Sequence, residues 1–196
     1  FDPSKELVYL EPIGGNEKDD GRSSYSLTGI DVAGKFIVSV TVPVGNSFTK
    51  ITRVYNRDNE LIFSTSSTGS SSTTYTVTPI YNEGGQCNYI AYSWKSRSGS
   101  NYRVYAKLMG IYDGYVGQRD VSDTNGYPSQ ASNIVFAREI DGRVYLSTGA
   151  YWTYILYTNS YGNGPVHGYP ERTKVFVFNP SAGSSSMGNV DDLGMK

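Results

Sequence analysis

Three alternating apolar stretches recur at a long and nearly constant spacing, and this repeat restricts the fold more than any other feature of the chain. Residues 36–40, 89–94 and 144–148 lie roughly 54 residues apart, and a repeat of that length is typical of solenoids, propellers and arrays. The alternation within each stretch is the pattern of a β-strand with a buried face. The repeat therefore predicts an all-β protein built from similar units.

The segments around these strands repeat as well. Residues 25–28 (Tyr-Ser-Leu-Thr) recur as residues 75–78 (Tyr-Thr-Val-Thr). Gly, Asn, Asp and Pro separate the strands, as expected of turns, and no window has the apolar period of a helix. Each unit is therefore predicted to contain up to four short antiparallel strands. The prediction is a single β domain of about three propeller-like units, at residues 23–68, 73–124 and 127–183.

Two terminal segments lie outside the repeat. Residues 1–22 contain a strand candidate at residues 7–10, whose exchange with a neighbouring subunit is one of the ways in which the fold can close. Residues 184–196 are rich in Ser and Gly and then acidic, which predicts a flexible tail. Within the third unit, residues 152–172 are predicted to form an insertion between the middle strands.

The composition favours an exported protein over a cytosolic enzyme. Charged residues make up 18% of the chain, against a soluble average of roughly 25%. The formal net charge of −1 gives no electrostatic basis for nucleic-acid binding. No apolar run approaches the roughly 20 residues of a membrane helix. We expect a protein located outside the cell or at the cell surface after removal of a leader, with neither nucleic-acid binding nor membrane insertion.

The second unit carries a family resemblance. Residues 89–94 (Tyr-Ile-Ala-Tyr-Ser-Trp), 102–107 (Tyr-Arg-Val-Tyr-Ala-Lys) and the Asp-Gly turn at 113–114 resemble a blade repeat of extracellular β-propellers, of the TolB-like and sialidase-like kinds. The resemblance implies hairpins and blade packing. It carries no catalytic residue to this chain.

The number of units raises the question of how the fold closes. Propellers usually have 4 to 8 blades, and three units alone leave open edges. Four solutions are open: two chains that close one six-bladed ring, a part of a longer propeller, a two-sheet β-sandwich, or an edge completed by residues 7–10 of a neighbour.

Neither a nucleophilic triad nor a metal site is indicated. His167 is the only histidine and no Gly-x-Ser-x-Gly motif accompanies it. Cys87 is the only cysteine, so an intrachain disulfide is excluded, and its simplest interpretation is a small apolar side chain at a strand start. The acidic spots at 19–20, 120–123 and 191–192 lack calcium-loop spacing. No metal and no cofactor are expected.

Paired carboxylates are the strongest catalytic alternative, because propellers host glycosidases and such sites need two carboxyl groups close together. The candidates flank or lie in strands, where each also fits a turn or a strand edge: Asp31, Glu83, Asp120 and Glu139. Enzymatic activity is therefore left open but is not favoured.

Aromatic side chains are the best candidates for a contact surface, since Tyr and Trp stack on sugars and peptides. The densest group combines Tyr151, Trp152, Tyr154 and Tyr157, and Trp94 closes the apolar strand of the second unit. Their alternative role is packing in the core. We predict a ligand or subunit contact here.

Three functions follow in order of preference. The first is a non-catalytic structural or adhesive subunit that self-associates as a homo-oligomer or polymer, in a filament or a surface layer. The second is a lectin-like module that binds a glycan through the aromatic group. The third is a propeller glycosidase.

Overall fold

The computed structural model describes residues 23–70, 75–98, 101–120, 134, 136–152, 155–158, 165–168, 171–182 and 187–192. Nearly all of these residues lie in β-strands, apart from turns and a short 3-10 segment at Pro180–Ala182. The exchanged-strand candidate at residues 7–10 lies outside the described residues. Among the described helical segments, none has the length and hydropathy to cross a membrane.

The strands form three four-stranded antiparallel sheets, each a meander in which neighbouring strands follow chain order. The first sheet contains β1 (Ser24–Ile30), β2 (Phe36–Val44), β3 (Ser47–Tyr55) and β4 (Leu61–Ser70). The second contains β5 (Tyr75–Tyr81), β6 (Cys87–Ser98), β7 (Asn101–Gly110) and β8 (Val116–Asp120). The third contains β9 (Phe136–Ile140), β10 (Arg143–Trp152), β13 (Glu171–Phe178) and β14 (Met187–Asp192).

The predicted all-β class and the four-stranded propeller-like units are confirmed. A separate hairpin of β11 (Ile155–Thr158) and β12 (Pro165–Gly168) lies between β10 and β13, within the predicted insertion. The prediction of a tail over residues 184–196 is wrong for β14, which pairs with β13. Backbone pairing at that edge of the third sheet outweighs the weak strand propensity of a Gly- and Asp-containing segment.

One turn geometry recurs at the same end of the first two sheets. The side-chain oxygen of Asp31, Asn56 or Asn82 accepts a hydrogen bond from the backbone N–H four residues later, which closes a hairpin turn from within. The fourth residue of each turn has a positive φ: 78° at Gly34, 68° at Asn59 and 78° at Gly85. Gly or Asn stands there because other residues are strained in that conformation.

The second sheet is buried on both faces, because it lies between the other two. Along β6, Tyr89 and Ala91 pack into a cluster with Val144 and Leu146 of the third sheet. Ile90 and Tyr92 alternate with them and pack with Ile37 and Val54 of the first sheet. This explains the nearly continuous apolar run of β6, since both sides of the strand face a core.

The sheets are arranged as blades. Between sheets, the backbones of the first strands lie near each other, β1 beside β5 and β5 beside β9. The stack therefore converges on its first strands, as propeller blades converge on an axis. It consists of three stacked sheets, and the alternative of a two-sheet sandwich is wrong.

The first and third sheets each have an outer face that points away from the second. On the first sheet, β1 carries an apolar row on this face, named here the β1 strip: Tyr25, Leu27 and Ile30 are 45%, 62% and 58% exposed. On the third sheet, Phe136 of β9 is 54% exposed on the side opposite Ala137, which packs inward. Both ends of the stack therefore present apolar surface on a first strand, whereas Val38 and Val40 on β2, on the same outer face as the β1 strip, are buried.

Candidate functional site

A polar groove separates the first and second sheets at the end opposite the Asp31 turn. Next to that turn, Ile37 and Val54 of the first sheet pack against the second. Two residues further along each strand, Ser39 pairs with Thr52, and two further again Thr41 pairs with Lys50. The inner face thus changes from apolar to polar. Ser39 and Thr52 are still buried, and the groove opens beyond them towards Lys50.

The groove, named here the Lys50 groove, has a volume of about 310 Å³. Five of its lining residues carry a hydroxyl, and the other two are Lys50 and Val77. The five are Ser26, Thr28, Ser39, Tyr75 and Thr76. Thr28 Oγ1 donates a 2.8 Å hydrogen bond to Ser39 Oγ. The arrangement offers donors and acceptors on the first sheet opposite an aromatic ring on β5.

Lys50 supplies the charge of this groove. Its Nζ donates a 3.0 Å hydrogen bond to Thr41 Oγ1, and no carboxylate of the described residues forms an ion pair with it. Burial lowers the pKa of Lys50 below its ordinary value. A partly buried ammonium group with a neutral partner is suited to receive an anion.

Trp94 lies in an aromatic row that adjoins the groove. Its ring stacks on Tyr105, with centroids 5.5 Å apart and planes at 20°, and lies 5.4 Å from the ring of Tyr75 at 50°. Tyr75 in turn lines the groove. The predicted contact residue Trp94 is therefore partly buried between two tyrosines.

The other aromatic candidates are described only in part. Tyr151 and Trp152 lie on β10 opposite Arg172 and Glu171 of β13, and Tyr157 lies on β11. Their side chains and the whole of Tyr154 lie outside the described residues. Their shared contact surface stays a prediction.

The carboxylate of Asp31 belongs to a buried clamp between the first two sheets. Its Oδ2 accepts a 3.1 Å hydrogen bond from the N–H of Cys87 and lies 3.3 Å from Lys35 Nζ. Lys35 Nζ also donates to the carbonyl of Cys87 and lies 4.6 Å from the ring centroid of Tyr112. Burial acts to raise the pKa of Asp31, but the hydrogen bonds from Cys87 and Lys35 and the Lys35 charge outweigh it, so the pKa is lowered.

The remaining predicted carboxylates are distributed over other places. Glu139 of β9 accepts a 3.1 Å hydrogen bond from Asn88 Nδ2, which links the third sheet to the second. Glu83 is exposed in the turn between β5 and β6. Asp120 ends β8 opposite Tyr105, and its side chain lies outside the description. Asp31 and Glu139 thus each stabilise a different contact between sheets.

Cys87 is fully buried, and burial raises the pKa of its thiol to about 11. It packs in the core shared by the first two sheets, as its apolar interpretation predicts. His167 lies on β12, and its side chain is not described. Within the described parts of the chain, no group of three or more metal-ligating side chains comes together.

Lys50 and Tyr75 are not among the functional residues that the sequence predicts. The signal for Lys50 was its position along β3. It lies two and four residues before Thr52 and Val54, so all three side chains are on the same inward face of the strand. Tyr75 was part of a repeated strand motif, but nothing local indicates that its ring would meet the first sheet.

No family model and no curated protein matches the chain. Among solved structures, it is similar to cobalt-substituted ACO of Synechocystis, with 10% identity, a TM-score of 0.44, and coverage of 86% of this chain and 37% of that one. It is also similar to a chimera of ACO and RPE65, with 11% identity, a TM-score of 0.42 and coverage of 85% and 37%. A mutant of the Synechocystis apocarotenoid oxygenase is also similar, with 11% identity, a TM-score of 0.40, and coverage of 79% of this chain and 35% of that one. The chain spans little more than a third of these proteins, and similarity at this level carries no inference about function.

Proposed function

We propose that this chain is a non-catalytic structural or adhesive subunit, located outside the cell, that associates head to tail with further copies of itself. In this arrangement the β1 strip of one copy packs against the outer side of β9 in the next copy. The observation that carries the proposal is the exposure of Tyr25, Leu27 and Ile30 on β1, whose counterpart β5 has another first strand on each side. The contact concerns the β1 strip alone, because Val38 and Val40 on the same face of β2 are already buried.

The register of the sheets supports a head-to-tail contact. Tyr81 pairs with Cys87 and Ile80 with Tyr89, so β6 carries one extra residue at a bulge. With that residue counted, Val38 and Val40 of β2 correspond to Ile90 and Tyr92 of β6. The outer face of the first sheet is therefore equivalent to the face by which the second sheet contacts its predecessor.

The third sheet provides the complementary end. Its first strand, β9, lies against β5 on one side and exposes Phe136 on the other. A β1 strip docked there would repeat the relation of β1 to β5 and of β5 to β9. Apolar surface on both partners would be removed from water, which favours association by about 25 cal/mol per Å².

The positions of Asp31 and Glu139 favour a non-catalytic role over the glycosidase alternative, because both carboxylates are engaged in contacts between sheets. The blade kinship to TolB-like and sialidase-like propellers and the sugar-binding role of Tyr151, Trp152, Tyr154 and Tyr157 stay predictions. A glycan array with the wild type and Trp152→Ala tests the latter.

Sedimentation velocity over a concentration series tests self-association. We expect the wild type to grow beyond the 21.5 kDa monomer as concentration rises, and Leu27→Glu to remain monomeric. Val116→Glu is the matched control, because Val116 is 48% exposed but lies on β8, the last strand of its sheet. A wild type that remains monomeric at every concentration contradicts the proposal, as does a Leu27→Glu variant that associates like the wild type.

A further inference from the structure

We propose that the Lys50 groove binds an acidic saccharide, whose carboxylate lies on Lys50 Nζ and whose hydroxyls contact Ser26, Thr28 and Ser39. The groove lies between the first and second sheets of one chain, so ligand binding there does not require self-association. It concerns residues other than the predicted aromatic group at 151–157.

The charge of the groove selects an anion. Lys50 is held on a strand with its Nζ on the neutral hydroxyl of Thr41, and the described lining contains no carboxylate. A carboxylate bound beside Nζ would stabilise the ammonium form that burial disfavours. Charge-assisted hydrogen bonds of this kind are roughly twice as strong as neutral ones.

The remaining lining selects a polyhydroxylated ligand. The hydroxyls of Thr28 and Ser39 already form one hydrogen bond, 2.8 Å long, which fixes their orientation and leaves a donor on Ser39 and an acceptor site on each oxygen. On the opposite wall, Tyr75 presents a ring and Val77 an aliphatic side chain, which suit the apolar face of a sugar.

The dimensions of the groove fit a single sugar ring. Its volume of about 310 Å³ is at the small end of ligand sites, which span roughly 300–1,000 Å³. Ser26 is exposed on β1 at this groove, so a ligand can enter from solvent along β1.

Isothermal titration calorimetry with glucuronate tests the proposal, with glucose as the neutral counterpart and inorganic sulfate as a bare anion. We expect glucuronate to bind the wild type at least tenfold more tightly than glucose or sulfate. Lys50→Met is expected to weaken glucuronate binding at least tenfold, and Lys50→Arg to retain most of it. Lys107→Met is the matched control, because Lys107 lies on β7 outside the groove lining, and it should bind as the wild type does.

Ser26→Tyr keeps the proposal testable if Lys50→Met does not fold, because Ser26 is exposed and a larger side chain there fills the groove. Circular dichroism of each variant verifies the fold. Absence of glucuronate binding overturns the proposal, and so does binding that Lys50→Met leaves unchanged. Sulfate bound as tightly as glucuronate, with the same dependence on Lys50, overturns the saccharide assignment.

Discussion

The hydroxyl of Tyr92 donates a 2.6 Å hydrogen bond to Oγ1 of Thr52 across the contact between the first and second sheets. Both residues are fully buried. The bond joins the middle strands of two blades at the level where their shared core changes from apolar to polar. Its length shows that the first and second sheets are in direct contact at this level.

Tyr92→Phe is expected to destabilise the protein by about 1–2 kcal/mol, because it removes the donor and leaves the Thr52 hydroxyl buried without a partner. Adding Thr52→Val should recover part of the loss, since neither polar group then remains. Urea unfolding of the two single variants and the double variant measures the coupling. Additive losses would show that the hydroxyls do not interact.

Asp31→Asn is expected to cost about 3 kcal/mol, because it leaves the buried ammonium of Lys35 without its counter-charge. The matched control is Asp58→Asn, whose partner Arg57 lies 3.8 Å away with both side chains more than 70% exposed. Exposed pairs contribute roughly 0–1 kcal/mol, so the control should change little. Equal losses in the two variants would contradict a buried clamp.

The same carboxylate predicts an acid-sensitive fold. Because the pKa of Asp31 is lower in the folded protein than its ordinary value of 3.8, the contribution of its charged form to stability is fully present above that pH. It is lost as the pH falls through the lower folded pKa. The difference in unfolding free energy between the wild type and Asp31→Asn should therefore shrink below pH 4. A constant difference down to pH 2 would contradict this.

Cys87 predicts an alkaline loss of stability. Its pKa is raised from 9.0 to about 11 by burial, so the unfolded thiol ionises first, and stability falls as the pH rises from 9 towards 11. Cys87→Ala should lose less stability over that range than the wild type. The comparison is needed because burial also raises the pKa of Tyr92, to about 12. Identical slopes for the two proteins would refute the assignment to Cys87.

Gly85→Ala is expected to destabilise the protein by about 2 kcal/mol, because Gly85 has a φ of 78°, which is unfavourable for a residue with a Cβ. That Cβ would also lie 2.7 Å from Cγ1 of Val32, in the turn of the neighbouring sheet. Gly84→Ala is the control, since its Cβ would meet only Asn82 Oδ1, at 3.4 Å. Thermal unfolding of both variants distinguishes them, and equal melting temperatures would count against the turn geometry.

Periodicity predicted the strands of the blades, because successive side chains of a strand point to opposite faces of the sheet. The resulting residue pattern in β2, β6 and β10 can be recognised within each strand alone. The strand at Met187–Asp192 could not be predicted in this way, since its pairing with β13 is decided by an open edge in three dimensions. Asp31 and Glu139 were recognised as strand-flanking carboxylates. Their roles depend on the Cys87 N–H and on Asn88 of another sheet, which no local pattern reveals.

The Lys50 groove shows the same limit. The position of Lys50 along β3 indicates that its side chain points inward. The groove around that side chain also needs Tyr75 and Val77, which β5 places on the opposite wall. The partners are separated along the chain and belong to different blades. Their meeting follows from the stacking of sheets.

A mixing experiment with two variants tests the head-to-tail contact between unlike faces most directly. Leu27→Glu disables the β1 strip and Phe136→Glu disables the outer side of β9, so each protein alone should remain monomeric by light scattering. Mixed in equal amounts, they retain one intact face of each kind, and we predict a dimer of one copy of each. A mixture that remains monomeric, while the wild type associates, would contradict the head-to-tail contact.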